Sequence, residues 1–275
     1  MKYKIVSDSA SNIHTIEKVP YSYAPLHIIV GEMDFSDDDS LDLTQMDNAL
    51  SSGGKSSTAC PGIGDWLNAF GDAEIVFCVT ITSSLSGSYS AARIAKGEYE
   101  EKFPLRHVHI IDSLSAGPEM ALIIEKLQDL ICQGKTEADI LRDIREYTQH
   151  SHLLFCLKSL RNLANNGRVS HSVAKICEIL GIRVMGQAST QGTLEILHKC
   201  HGEQNALSRM VKTMREYGFS GGRVRIMHNK NEDAAQKLAS LIRESFAAAD
   251  IQISPTLGLC SYYAEDGGIM LGFDV

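Results

Sequence analysis

The chain has 275 residues, 44% of them hydrophobic, which is enough for one large or two medium globular domains. A net charge of −8 argues against non-specific nucleic-acid binding, which needs a basic face. No apolar run approaches the ~20 residues that span a bilayer. The opening MKYKIVSDSA turns polar too early for a signal peptide.

Lys2 to Ser7 reads as a first strand that ends at Asp8-Ser9. Tyr23 to Val30 is a second apolar run, and the chain then turns around Met33 to Ser36. Asp37-Asp38-Asp39 is read as a solvated acidic turn rather than a cation site. A helix over Leu43 to Leu50 stops at Gly53-Gly54. Lys55 to Gly62 is a polar loop, and Trp66, Leu67 and Phe70 mark a short helix after it.

Ile75 to Ile81 is an apolar, β-branched strand that breaks into Thr82, Ser83, Ser84, Ser86 and Ser88, with Gly87 among them. A helix follows through Ala91, Ala92 and Ala95. A buried strand that ends in hydroxyls at a helix N-terminus offers an anion site. The first helical N–H groups lack intrahelical partners, and the helix dipole favours negative charge there. No lysine stands in the loop, so a neutral pocket for a carboxylate or phosphate is expected.

His107 to Ile111 is another strand, ending in Asp112-Ser113. Pro118 suits a first helical turn. Met120, Ile124, Leu127 and Ile131 form one apolar stripe, and Gly134 ends it. Thr136 caps a helix with Ile140, Ile144 and Tyr147 on its buried face. Alternating strands and helices predict an α/β fold with a doubly wound, mostly parallel sheet.

After His150 the pattern changes, and two domains are expected, residues 1–150 and a smaller, mixed α/β domain over 151–275. In the second, Leu153 to Leu157 is a strand and Leu160, Leu163 and Ala164 lie on a short helix before Asn165-Asn166-Gly167-Arg168. Val173, Ile176, Cys177 and Leu180 predict a compact helix. Strands over Arg183 to Ala188 and Leu194 to His198 are joined by the Thr190-Gln191-Gly192 turn. A helix with Leu207, Met210, Val211 and Met214 leads through Gly221-Gly222 to a strand over Val224 to Met227. A helix with Ala235, Leu238, Ile242 and Phe246 and a final strand at Leu271 to Phe273 complete the chain.

The seven cysteines are odd in number and form no CxxC pair. They read as buried thiols of a reducing cytoplasm. His198, Cys200 and His201 have no second ligand pair at a metal-site spacing, so no metal is expected. Ser84-Leu85-Ser86-Gly87-Ser88 lacks the first glycine of a hydrolase elbow. No glycine-rich nucleotide loop is present either.

These motifs, in order, resemble the DegV family of bacterial lipid-binding proteins. Asp8-Ser9-Ala10-Ser11 is similar to the family's opening Asp-Ser motif, and Thr58-Ala59-Cys60-Pro61 to its Thr-Ser-x-Pro. Ser83-Ser84-Leu85-Ser86-Gly87-Ser88-Tyr89 resembles its most specific signature, Ile111-Asp112-Ser113 its Ile-Asp-Ser, and LRNLANNGRVS at 160–170 its Leu-x-x-Leu-x-x-Gly-Gly-Arg-Ile-Ser. The resemblance implies two α/β domains of the EDD fold, no cofactor and no catalysis. It implies one long-chain fatty acid as ligand, with its carboxyl group presented to a partner fatty-acid kinase.

Thr58 and Ser86 align with the family's carboxylate ligands. The Gly87 amide and neighbouring Ser84 are expected beside them, and Arg168 at the rim of the domain junction. The sequence departs from the family where its arginine aligns with His201, where Tyr263-Ala264-Glu265-Asp266-Gly267 replaces His-x-Gly-Pro-Gly, and at Ala59. The alternative is an enzyme of phosphotransfer or acyl-transfer type using the Ser86 loop, because the N-terminal fold resembles that of dihydroxyacetone kinase. A leucine- and methionine-lined tunnel would favour the carrier. An open polar cleft with a base beside Ser86 would favour the enzyme.

Overall fold

The computed structural model describes residues 2–175 and 181–275. The first half runs β1 (Tyr3–Asp8), β2 (Tyr21–Ala24), β3 (His27–Val30), β4 (Met33–Ser36), α1 (Leu43–Ser51), β5 (Ser56–Ala59), α2 (Ile63–Phe70), β6 (Ile75–Thr80), α3 (Ser88–Lys102), β7 (His107–Asp112), α4 (Pro118–Cys132) and α5 (Glu137–Tyr147). The second half runs β8 (Ser151–Leu157), α6 (Arg161–Asn165), α7 (His171–Ala174), β9 (Ile182–Ala188), β10 (Leu194–His201), α8 (Glu203–Glu216), β11 (Arg223–His228), α9 (Glu232–Ser245), β12 (Asp250–Pro255), α10 (Gly258–Ala264) and β13 (Ile269–Asp274).

Strands β2-β1-β6-β7 form a four-stranded sheet whose neighbours are all parallel. Every residue of β6 is buried, because a parallel strand with helices on both faces has no solvent side. Alternation divides the sheet's side chains. Ile5, Phe77 and Val79 pack with Met120, Ile123 and Ile124 of α4. Val6, Val76 and Cys78 pack with Trp66 and Phe70 of α2 and Ala92 and Ala95 of α3. The sheet is therefore doubly wound, as the sequence predicted.

The second sheet is mixed and has six strands, ordered β10-β9-β8-β13-β11-β12. One face, with Leu154, Cys156, Met185 and Leu271, packs under α8 and α9. The other carries Leu153, Phe155, Leu157 and Met270 and faces the N-terminal half. Between the sheets lies α4, which packs against β6 and β1 on one side and β13, β11 and β8 on the other. Its Met120 to Ile124 run is wholly buried, as a helix enclosed on all sides requires. Arg225 of β11 holds Glu125 of α4 with two bonds of 2.6 Å.

Several elements differ from the sequence reading. The apolar run from Tyr23 to Val30 is two strands in two sheets. Pro25, which has no N–H to donate to a ladder, separates them, and the Leu26 amide bonds Ser9 Oγ instead. Met33 to Ser36 is strand β4, closing a hairpin through Gly31 at φ +62°. The polar loop contains β5, which pairs with β3. Strand β12 and helix α10 were not anticipated. Of the predicted compact helix, Val173 lies in α7, whereas Ile176, Cys177 and Leu180 lie outside the described residues.

Candidate ligand cavity

The hydroxyl loop after β6 is held in place from below and from the side. Asp8, wholly buried at the end of β1, accepts the Ile81 amide at 2.9 Å and Ser88 Oγ at 2.6 Å on one carboxylate oxygen. Burial pushes its pKa up to about 7, against the lowering effect of those two donors. Asp112 Oδ1 accepts the Ser83 amide. Ser86 Oγ accepts the Ser88 amide at 3.2 Å at the start of α3, which leaves the hydroxyl proton available to a ligand. Gly87 is the N-cap of α3, and a side chain there would crowd Cys60 Sγ at 3.1 Å.

Two other hydroxyls of the loop look away from this point. Thr82 Oγ1 donates to the Gly192 carbonyl at 2.9 Å, and Ser84 Oγ to that of Gln191 at 2.6 Å. The hydroxyl run thus does two jobs. Ser86 faces inward, while Thr82 and Ser84 clamp the β9–β10 turn. Ser84, expected beside the carboxylate, has its hydroxyl on Gln191 and is not among the described residues lining the cavity.

Opposite Ser86, α10 lays two tyrosines on β5. Ser56 and Thr58 stand two apart and so share a face of the strand. Ser56 Oγ meets Tyr262 Oη at 2.8 Å, and Thr58 Oγ1 meets Tyr263 Oη at 2.7 Å. Burial raises the pKa of Tyr263, keeping it a neutral hydroxyl. Arg168 follows Gly167, which turns the chain at φ +73°. Its guanidinium donates to the carbonyls of Leu85 and Asn166, and among the described residues no carboxylate neutralises it.

These groups close one end of a narrow cavity of about 90 Å³. Thr58, Ser86, Arg168 and Tyr263 supply its polar lining, with Leu85 beside them. The remaining wall is apolar. Leu26, Ile81, Ala116 and Leu259 come from the N-terminal half and α10, and Leu153, Phe155, Leu157, Leu163, Leu194 and Met270 from the second sheet and α6. None of the described lining residues is His, Asp, Glu or Lys.

His201 does not belong to this group. It ends β10 with an exposed side chain, pairs with Ile182, and its carbonyl accepts Asn205 Nδ2 at 2.8 Å. Its position, where the family's arginine aligns, is therefore apart from the described residues that line the cavity. Adjacent strand residues point to opposite faces, and the buried one here is Cys200. A wider polar cleft of about 710 Å³, edged by Lys158, Arg161, Arg183 and Glu203, contains none of the expected ligand residues.

The sequence missed two positioning features, Asp8 beneath the loop and α10 above it. Asp8 carried a signal, since an acid at the end of a buried strand reaches the start of the neighbouring loop. Leu257 to Ala264 carried little, because Gly258-Leu259-Cys260-Ser261 has no capping side chain or polar face to mark a helix.

The fold and cavity define an α/β protein built on a parallel and a mixed sheet, with a small third sheet of β4, β3 and β5, and a narrow, mostly apolar site with a neutral-to-cationic polar end. A family model described as "Uncharacterised protein, DegV family" matches residues 2–273, and the chain belongs to that family. It is 40% identical to a DegV domain-containing protein of Streptococcus pneumoniae, over the full length of both chains. A DegV family protein from Eubacterium eligens, solved loaded with heptadecanoic acid, superposes with a TM-score of 0.97 at 43% identity over 99% of each chain. The Streptococcus pneumoniae fatty acid kinase B3 protein, loaded with linoleic acid, gives 0.97 at 40% identity over 100% of each.

Proposed function

We propose that this protein binds one long-chain fatty acid, holds it without chemical change, and presents its carboxyl group to a partner fatty-acid kinase in the bacterial cytoplasm. The observation that carries the reading is a narrow cavity, apolar along its walls and polar at one end. There Ser86, Thr58 and Tyr263 offer hydroxyls and Arg168 an unneutralised charge. Residues 1–150 supply the Thr58 and Ser86 loops, and residues 151–275 cover the acyl chain and add Arg168 and Tyr263.

The energies are consistent with a carrier. Each buried methylene contributes roughly 0.8 kcal/mol, so ten of them supply about 8 kcal/mol. A hydrogen bond to a charged carboxylate adds about 1.5–3 kcal/mol and fixes which end of the molecule enters. Affinity comes from the tail and orientation from the hydroxyls. An enzyme using Ser86 as nucleophile needs a base within hydrogen-bond reach, and no described residue lining the cavity supplies one. Among the described residues no helix is long and apolar enough to cross a membrane. The thiols of Cys60, Cys78, Cys132, Cys200 and Cys260 are free, which suits a reducing compartment.

The test is native mass spectrometry of the protein purified from a bacterial host, followed by lipid extraction. One fatty acid per chain is expected, displaced stoichiometrically by added fatty acid. A ligand-free protein that neither carries nor takes up fatty acid refutes the reading.

A further inference from the structure

Two bulky residues of the acyl cavity sit over glycines. Phe155 of β8 stands opposite Gly186 of β9 and, on its other side, opposite Met270 of β13. Cross-strand partners share a face, so Phe155 and Met270 form one ledge of the cavity wall. A β-carbon on Gly186 would lie closer to Phe155 Cζ than carbon atoms ever pack. A β-carbon on Gly117, which precedes α4, would lie 2.7 Å from Met270 Cε. Each side chain therefore already occupies the space that a missing side chain leaves.

Main chain closes the Gly186 notch, and the Cys260 thiol lies beside the one at Gly117. The Glu195 carbonyl of β10 would also collide with a β-carbon on Gly186. The main chain of Pro118 lies 2.6 Å from where a β-carbon on Gly272 would be, so the first turn of α4 rests directly on β13. Close-packed backbone does not yield as a rotamer does. Phe155 and Met270 thus already fill the spaces over Gly186 and Gly117, and the cavity beside them is narrow.

We propose that Phe155 and Met270, seated over Gly186 and Gly117, set the width of the acyl cavity and select a straight, saturated chain over one of equal length bent by cis double bonds. A bend demands lateral room, and the notches into which this ledge could retreat are already filled. The inference rests on the fatty-acid reading above. Similarity does not decide the matter, since relatives of comparable identity were solved with a saturated and with a polyunsaturated acid.

The experiment compares stearic and linoleic acid, both of eighteen carbons, as competitors of a fluorescent fatty acid on the delipidated full chain. Wild type is expected to bind stearic acid at least about fivefold more tightly. Phe155→Leu and, independently, Met270→Ala are expected to bring that ratio toward one by strengthening linoleic acid binding, with folding checked by circular dichroism and melting temperature. Equal or tighter binding of linoleic acid by wild type overturns the inference. So does an unchanged ratio in whichever of the two variants folds, and if neither folds, the wild-type ratio alone decides. Failure of wild type to bind either acid overturns the fatty-acid reading itself, and this inference with it.

Discussion

Replacing Asp8 by asparagine should flatten the dependence of stability on pH. The carboxyl group is wholly buried, and burial raises its pKa from 3.8 to about 7. A group whose folded pKa is raised holds its proton more tightly in the folded state. Its contribution is complete below the unfolded pKa and is lost as pH rises through the folded one. Three units at about 1.4 kcal/mol each give a decline on the order of 4 kcal/mol between about pH 4 and pH 7.

Glu119, at the start of α4, is buried beside Ser151 and is likewise raised to about 7. It adds a decline of the same sign to wild type and variant alike. Asparagine keeps an oxygen to accept Ile81 and Ser88 but never ionises. Its stability relative to wild type should therefore improve by roughly 4 kcal/mol from acid to mildly alkaline pH. Urea unfolding of both proteins at intervals from about pH 4 to pH 8 measures this. Parallel curves, separated by a constant, would refute the reasoning and mean that Asp8 is not a buried titrating group.

Ser86→Ala should weaken fatty-acid binding roughly ten- to hundredfold by removing a hydrogen bond to a charged group. Its melting temperature should stay near that of wild type, and fluorescent fatty-acid titration beside a thermal melt checks both. Arg168→Gln removes the one charge among the described residues lining the cavity and should lower affinity about tenfold or more; retained affinity in titrations of the folded variant would make Arg168 a purely structural link between Leu85 and Asn166. His201→Arg should leave affinity unchanged from about pH 6 to pH 8, since the side chain lies outside the cavity, and a wild-type pH dependence that the variant lacks would return His201 to the site.

By itself the sequence determined the α/β class, the parallel sheet and the place of the Ser86 loop. These follow from local physics. The run from Ile75 to Ile81 can only be a buried strand, the stripe from Met120 to Ile131 fits a helix, and hydroxyls between strand and helix fall at an anion-attracting helix start. The polar strand Ser56–Ala59 and helix α10 were illegible for the same reason in reverse. Neither has an alternating or amphipathic pattern, and each is defined by the partner it meets, β3 for one and β5 for the other.

Only the tertiary structure decided which groups converge. Thr58, Ser86, Arg168 and Tyr263 come from β5, the loop before α3, the turn after α6 and α10, and meet because parallel register and the return of α10 bring those elements together. The same packing sends Ser84 to Gln191 and leaves His201 at an exposed strand end. Direction is a property of long-range contacts. A string of hydroxyls announces donors, but the partner elements determine which of them face a ligand and which hold the fold together.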